Sequence, residues 1–163
     1  MKKYSKQDQR LLAIWAADCA EHVLPFFERV CPQNDRPRNA IETCRTWVRT
    51  GVFKMSEIRG ASLAAHAAAR NAEEGSAAHF AAHAAGQAVA TAHVPQHAYG
   101  SAYYALKAVS AADPANAEVK IAEELTWITQ HLAENLRQEI LSRITIQKRG
   151  NQFIIKIQKG KDF

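Results

Sequence analysis

Apolar positions along this chain recur mostly at helical spacing. From about Gln7 to Val30 the residues Leu12, Trp15, Cys19, Val23, Phe26, Phe27 and Val30 fall on one face, which predicts a first helix. Pro25 lies inside it and lacks the amide hydrogen a helix interior needs, so a kink or restart is expected near Leu24. The loop Cys31-Pro32-Gln33-Asn34-Asp35 leads to Pro37, which suits a first helical position because its missing amide is not needed there. The second helix closes at Gly51. It should bury Ala40, Ile41, Cys44, Trp47 and Val48, with Arg38, Glu42, Arg45 and Arg49 on another face.

Ser56 is a candidate cap for a third helix reaching about Ala72, and Ser76 for a fourth reaching about His93. Both are rich in alanine, which favours helix but offers little apolar area, so they gain most where backbones pack closely. They are therefore expected at the centre of the bundle. Pro95 breaks the chain again, and a fifth helix carries Ala98, Ala102, Ala105, Leu106 and Val109 on one face. Asp113-Pro114 reads as a cap and a first-turn proline opening the longest helix, with the stripe Ile121, Leu125, Ile128, Leu132, Leu136 and Ile140. Beyond Arg143 the period changes to two. Ile144 and Ile146, then the turn residues Arg149-Gly150-Asn151, then Phe153, Ile155 and Ile157 describe either a short β-hairpin or a mobile tail, because an isolated hairpin is marginal in water. The expectation is an all-α protein, a compact bundle of about six helices over residues 1–143, followed by a basic C-terminal tail or hairpin over 144–163.

A length of 163 residues with 47% hydrophobic content suits one domain with a sizeable core. The longest apolar runs are alanine-dominated and interrupted, so no membrane span is expected, and the polar residues following the basic N-terminus argue for a cytoplasmic protein. Cys19, Cys31 and Cys44 form no C-x-x-C pair and read as reduced thiols, two of them in the core. The formal charge of +5 owes much to Lys148, Arg149, Lys156, Lys159 and Lys161. Such an end attracts nucleic acid weakly at long range, although its commoner role is solubility.

The sequence contains no G-x-S-x-G, S-x-x-K or phosphate-loop motif, so no catalytic residue and no cofactor is assigned. Seven histidines offer the first candidate chemistry. His79 and His83 are one turn apart, as are His93 and His97, a spacing that can present two imidazoles to a metal or a small-molecule substrate in a helical bundle. No H-E-x-x-H supports it, and Pro95 intervenes in the second pair, so structural histidines are the simpler reading. A second constellation mixes charges. Leu11, Trp15, Asp18 and His22 share a stripe of the first helix, and Asp35, Arg36, Arg38 and Arg45 near the start of the second could meet it. These residues form either an ion-pair network locking two helices together or a site for an anionic ligand or protein partner. Tyr99, Tyr103 and Tyr104 suit packing against a neighbouring helix.

Several segments resemble a bacterial family of immunity proteins associated with polymorphic toxin systems. They are Ala16-Ala17-Asp18-Cys19-Ala20-Glu21-His22-Val23-Leu24; Asp35-Arg36-Pro37-Arg38-Asn39-Ala40-Ile41-Glu42 with Trp47; the Ala-His-Ala-Ala-Ala run at 65–69; and Ala88-Val89-Ala90-Thr91-Ala92-His93-Val94 continuing through His97-Ala98-Tyr99-Gly100-Ser101-Ala102. The resemblance covers about Leu11 to Ala112 and implies an all-α domain that neutralises a cognate protein toxin by binding it; the alanine-rich faces are compatible with a monomer or a homodimer. His93 and His97 join Asp18, His22, Asp35, Arg36, Arg38 and Arg45 as candidate partner-binding residues. An inhibitor that fills a nuclease's basic active site would present carboxylates, whereas this chain is basic. A toxin of another kind, or an acidic patch at Glu73-Glu74 or Glu118 to Glu124, would reconcile the two.

Overall fold

In the computed structural model, which describes residues 4–160 and 163, seven α-helices are followed by a two-stranded hairpin. They are α1 (Lys6–Val30), α2 (Arg36–Thr50), α3 (Met55–Ala68), α4 (Ala77–Ala90), α5 (His97–Ala112), α6 (Ala117–His131) and α7 (Glu134–Arg143), then β1 (Ile144–Arg149) and β2 (Gln152–Ile157). Among the described residues no helix is long and apolar enough to cross a membrane.

Capping chemistry fixes several starts. The Ser5 hydroxyl accepts from the Asp8 amide at α1, and Ser76 accepts from the His79 amide at α4. Asp113 likewise accepts from the Asn116 amide, in the short 3₁₀ turn Pro114–Asn116 that precedes α6. Gly51, at a φ of 69°, ends α2 in the left-handed conformation that a side chain resists. Other boundaries differ from expectation. α3 begins at Met55 without a side-chain cap and gives way after Ala68 to a 3₁₀ turn, while α4 stops at Ala90 and leaves His93 in a turn.

The core is built on α1, whose Leu12, Trp15, Cys19, Val23, Leu24 and Phe27 are buried. α1 continues through Pro25 without a restart. The carbonyl that Pro25 cannot bond belongs to Glu21, and both residues are exposed, so water can take its place. α4 takes the central position, touching α1, α2, α3 and α5 and burying Ala78, Ala81, Ala82, Ala84, Ala85 and Ala88. α3, also expected at the centre, lies outside it, with Ile58, Ala65 and Ala68 buried and its larger apolar side chains Met55 and Leu63 exposed. Polar groups in this interior are satisfied individually. Trp15 Nε1 donates to the Ile128 carbonyl at 2.8 Å, tying α1 to α6, and Ser101 Oγ donates to the Ala16 carbonyl at 2.7 Å. Cys19 and Cys44 are buried free thiols, the latter pushed up to about 12 by burial.

The expected longest helix is two helices. Leu132 and Ala133 adopt extended ψ values of 133° and 135°, and the chain turns between α6 and α7. The break still leaves Leu132, Leu136 and Ile140 buried, so the apolar stripe follows the curved surface of the bundle where a straight helix would leave it. Bonds at the break use the groups it releases: Arg137 donates to the Leu132 carbonyl, and the Leu132 amide to that of Thr129. β1 and β2 pair antiparallel, Ile144 opposite Ile157 and Ile146 opposite Ile155, with Gly150 at a φ of 59° in the turn. Ile155 is buried, and β2 lies against α5, which supplies the packing partner an isolated hairpin lacks.

Candidate functional site

The small side chains of α3 and α4 let the two helices approach closely, and the space is filled by imidazoles. His66 from α3 and His83 from α4 meet with their Nδ1 atoms 2.7 Å apart, a distance at which one ring donates and the other accepts. His66 rests on Gly86, where an added Cβ would stand 2.7 Å from its Nε2, so this glycine is the floor of the pair. On its other sides His83 meets His79, with ring centres 4.6 Å apart, and Tyr104 at 5.0 Å. His79 donates through Nδ1 to the Ala69 carbonyl at 3.2 Å. His97, at the start of α5, donates through Nδ1 to Gln87 Oε1 at 2.7 Å, and Gly100 leaves the room that Gln87 occupies.

Burial, reinforced by the neighbouring imidazoles His66 and His79, lowers the His83 pKa to about 4. Burial also lowers those of His66 and His97, with His97 acting on the former and His93 on the latter. His66, His83 and His97 therefore favour the neutral form. Of the two histidine pairs read from spacing, His79 and His83 do adjoin, although the His83 Nδ1 is committed to His66. His93 is exposed and stacks on Phe53 at 6.4 Å, while His97 faces Gln87. Among the described residues no three His, Cys, Asp or Glu side chains converge as a metal-binding group.

Two clefts open beside His93. One, of about 330 Å³, lies between α3 and the α4–α5 turn and is lined by Met55, Arg59, Leu63, His66, His93 and His97, among others. The second, of about 690 Å³, is lined by Lys6, Arg10, Trp47, Gly51, Phe53 and His93, among others. A further cleft of about 660 Å³ lies between α5 and β2, with His97, Tyr99, Tyr103 and Phe163 in its lining. Large exposed apolar side chains line these two clefts, Phe53 the larger and Met55 and Leu63 the smaller, the last 58% exposed, and exposed Val52 lines an adjoining groove with Ile58. Of seven such residues described as exposed, these four fall within one short segment, which makes them a patch where scattered single residues would need no explanation.

The charged constellation of α1 and α2 divides. Asp18 faces α2, where Arg45 donates to it at 3.0 Å and to Glu21 at 2.6 Å, and Arg38 donates to Glu28 at 2.6 Å. These pairs link the two helices. Arg36 donates to Asn34 and Asn71, and Asp35 occupies the cap position of α2 without a side-chain capping bond. His22 turns instead to α6, 2.9 Å from a carboxylate oxygen of the buried Glu124 and stacked on Trp127 with ring centres 3.9 Å apart. Burial raises the Glu124 pKa, opposed by His22 and His131. Glu124 had a sequence signal, since it stands between Ile121 and Ile128 on the buried stripe of α6. Phe53, Arg59 and Leu63 had none, because pattern alone does not tell an exposed apolar side chain from a buried one.

The family model described as Imm-5 like putative immunity protein matches residues 2–135, and the chain belongs to that family. No curated protein and no solved structure matches it.

Proposed function

We propose that this member of the Imm-5 like immunity family protects its cell by binding a cognate protein toxin in the cytoplasm and occluding the toxin's working surface. The observation that carries the reading is the concentration of exposed apolar side chains, Phe53, Met55 and Leu63 with neighbouring Val52, around clefts on a helical scaffold. Aromatic and aliphatic anchors of this kind dominate binding energy in protein interfaces. The scaffold is suited to hold them without rearrangement, because buried contacts such as that of Trp15 with the Ile128 carbonyl tie its helices together. Of the candidate residues read from sequence, His93 and His97 line the clefts, which supports a part for them in partner binding. Asp18, Arg38 and Arg45 hold α1 against α2.

Affinity capture from the native lysate, followed by mass spectrometry, identifies a stoichiometric protein partner. That partner arrests growth when expressed alone, and co-expression with this chain restores growth. A partner that is harmless alone, or an arrest that co-expression does not relieve, removes the proposal.

A further inference from the structure

The face around His93 is cationic as well as apolar. Arg59 rises from α3 between Met55 and Leu63 at the mouth of the smaller cleft, and Lys6 and Arg10 line the larger one on the other side of Phe53 and His93. None of the three makes an ion pair with a described residue, whereas Arg38, Arg45, Lys54, Lys120 and Lys148 are each held by a carboxylate. Arg10 is positioned by the backbone: its Nη2 lies where a Cβ at Gly51 would come within 2.5 Å, so the left-handed glycine that ends α2 also admits the guanidinium. Among the acidic groups nearby, Glu42 and Glu57 line a separate groove with Val52 and Ile58, Glu57 held by Lys54, and Asp8, between Lys6 and Arg10 on α1, accepts hydrogen bonds from Ser5 and Asn135. Three uncompensated cations therefore bracket an apolar patch with two openings.

We infer that this face is the docking surface for the toxin, and that the toxin offers it a segment in which a large apolar side chain is flanked by carboxylates. The inference rests on the immunity reading for the identity of the partner, and on the geometry for the chemistry of its segment. The apolar side chain enters the cleft of about 330 Å³ between Met55, Leu63 and His66, a volume at the lower end of pockets that seat a ligand group. The carboxylates meet Arg59 on one side and Arg10 and Lys6 on the other, and guanidinium groups suit them because they can donate two parallel hydrogen bonds to one carboxylate. A basic immunity protein then follows without contradiction, since the surface it covers on the toxin is acidic. Charge complementarity of this kind speeds encounter and rejects partners of the wrong sign.

The test uses a displayed library of random dodecapeptides, panned on the full-length protein and, in parallel, on the double variant Arg59→Glu, Leu63→Ser. Both substituted side chains are exposed, and matching circular-dichroism melting curves confirm that the variant folds. The expected result is enrichment of peptides with Asp or Glu beside Leu, Phe or Trp, binding that falls at least tenfold in the variant, and further weakening as salt rises. Enrichment of basic or uncharged peptides, no enrichment, or equal binding by the two proteins overturns the inference. No toxin enters this experiment, so it is separable from the growth assay. Rescue of growth that persists in the double variant removes the docking surface and leaves the immunity reading intact. Acidic-apolar peptides selected at Arg59 and Leu63, together with failed rescue, do the reverse.

Discussion

Acidification should unlock the histidine seam, and His83 sets the scale. Its pKa falls from the ordinary 6.5 to about 4 in the folded chain, so between these values the unfolded chain binds more protons than the folded one. Stability from this group is fully present above pH 6.5 and is lost as the pH falls towards 4. Linkage over the range from pH 7.5 to 4.5 gives about 2.5 kcal/mol if the whole shift is counted. His83 is only about half buried, so solvent screening reduces this to about 1 kcal/mol. The lowered values of His66 and His97 act in the same direction, while the raised Glu124 acts in the opposite one, since its neutral form is the one favoured in the fold. The comparison to make is urea unfolding of the native chain and of His83→Gln at both pH values. The glutamine can still exchange a hydrogen bond with His66 but cannot titrate. The native chain should lose about 1 kcal/mol more than the variant on acidification, with unchanged m-values. Equal losses in the two proteins would show that the seam does not oppose protonation, and the reasoning would fail.

Three further outcomes follow from the packing. Gly86→Ala places a methyl group against the His66 ring and should cost about 1–3 kcal/mol; thermal melting should show the drop, and combining it with His66→Ala should restore most of the loss. Trp15→Phe leaves the buried Ile128 carbonyl without its donor and should cost about 1–3 kcal/mol in urea unfolding, whereas a change under 0.5 kcal/mol, roughly the level of a neutral surface substitution, would argue against the bond. Arg38→Ala should change stability by less than about 0.5 kcal/mol because its pair with Glu28 is exposed; Arg45→Ala, which releases both Asp18 and Glu21 in a more sheltered position, should cost up to about 1 kcal/mol by the same melts.

What the sequence determined by itself is whatever depends on neighbours within a few residues. The apolar periods placed most of the buried faces of α1, α2 and α5, although Val30 is exposed; Ser76 marked the start of α4 and Asp113 that of the turn before α6, and the alternation after Arg143 described two strands. The burial of Ile121, Ile128, Leu132, Leu136 and Ile140 was likewise legible, although the helix carrying them was not continuous. Nothing in Gln130-His131-Leu132-Ala133 signals a stop by proline or glycine, so that break is decided by the curvature of the surface the stripe must cover. Tertiary structure also chose hairpin over tail, because α5 supplies the apolar face that β2 needs. The candidate site divides in the same way. Asp18 met Arg45 as adjacent helices allow, but His22 found Glu124 on a helix far along the chain, and His66 found His83 only because alanines and Gly86 let two backbones close on them. The apolar patch was the least legible element. Phe53, Met55 and Leu63 are apolar like core residues, and only the assembled bundle determines that no helix among the described residues covers them.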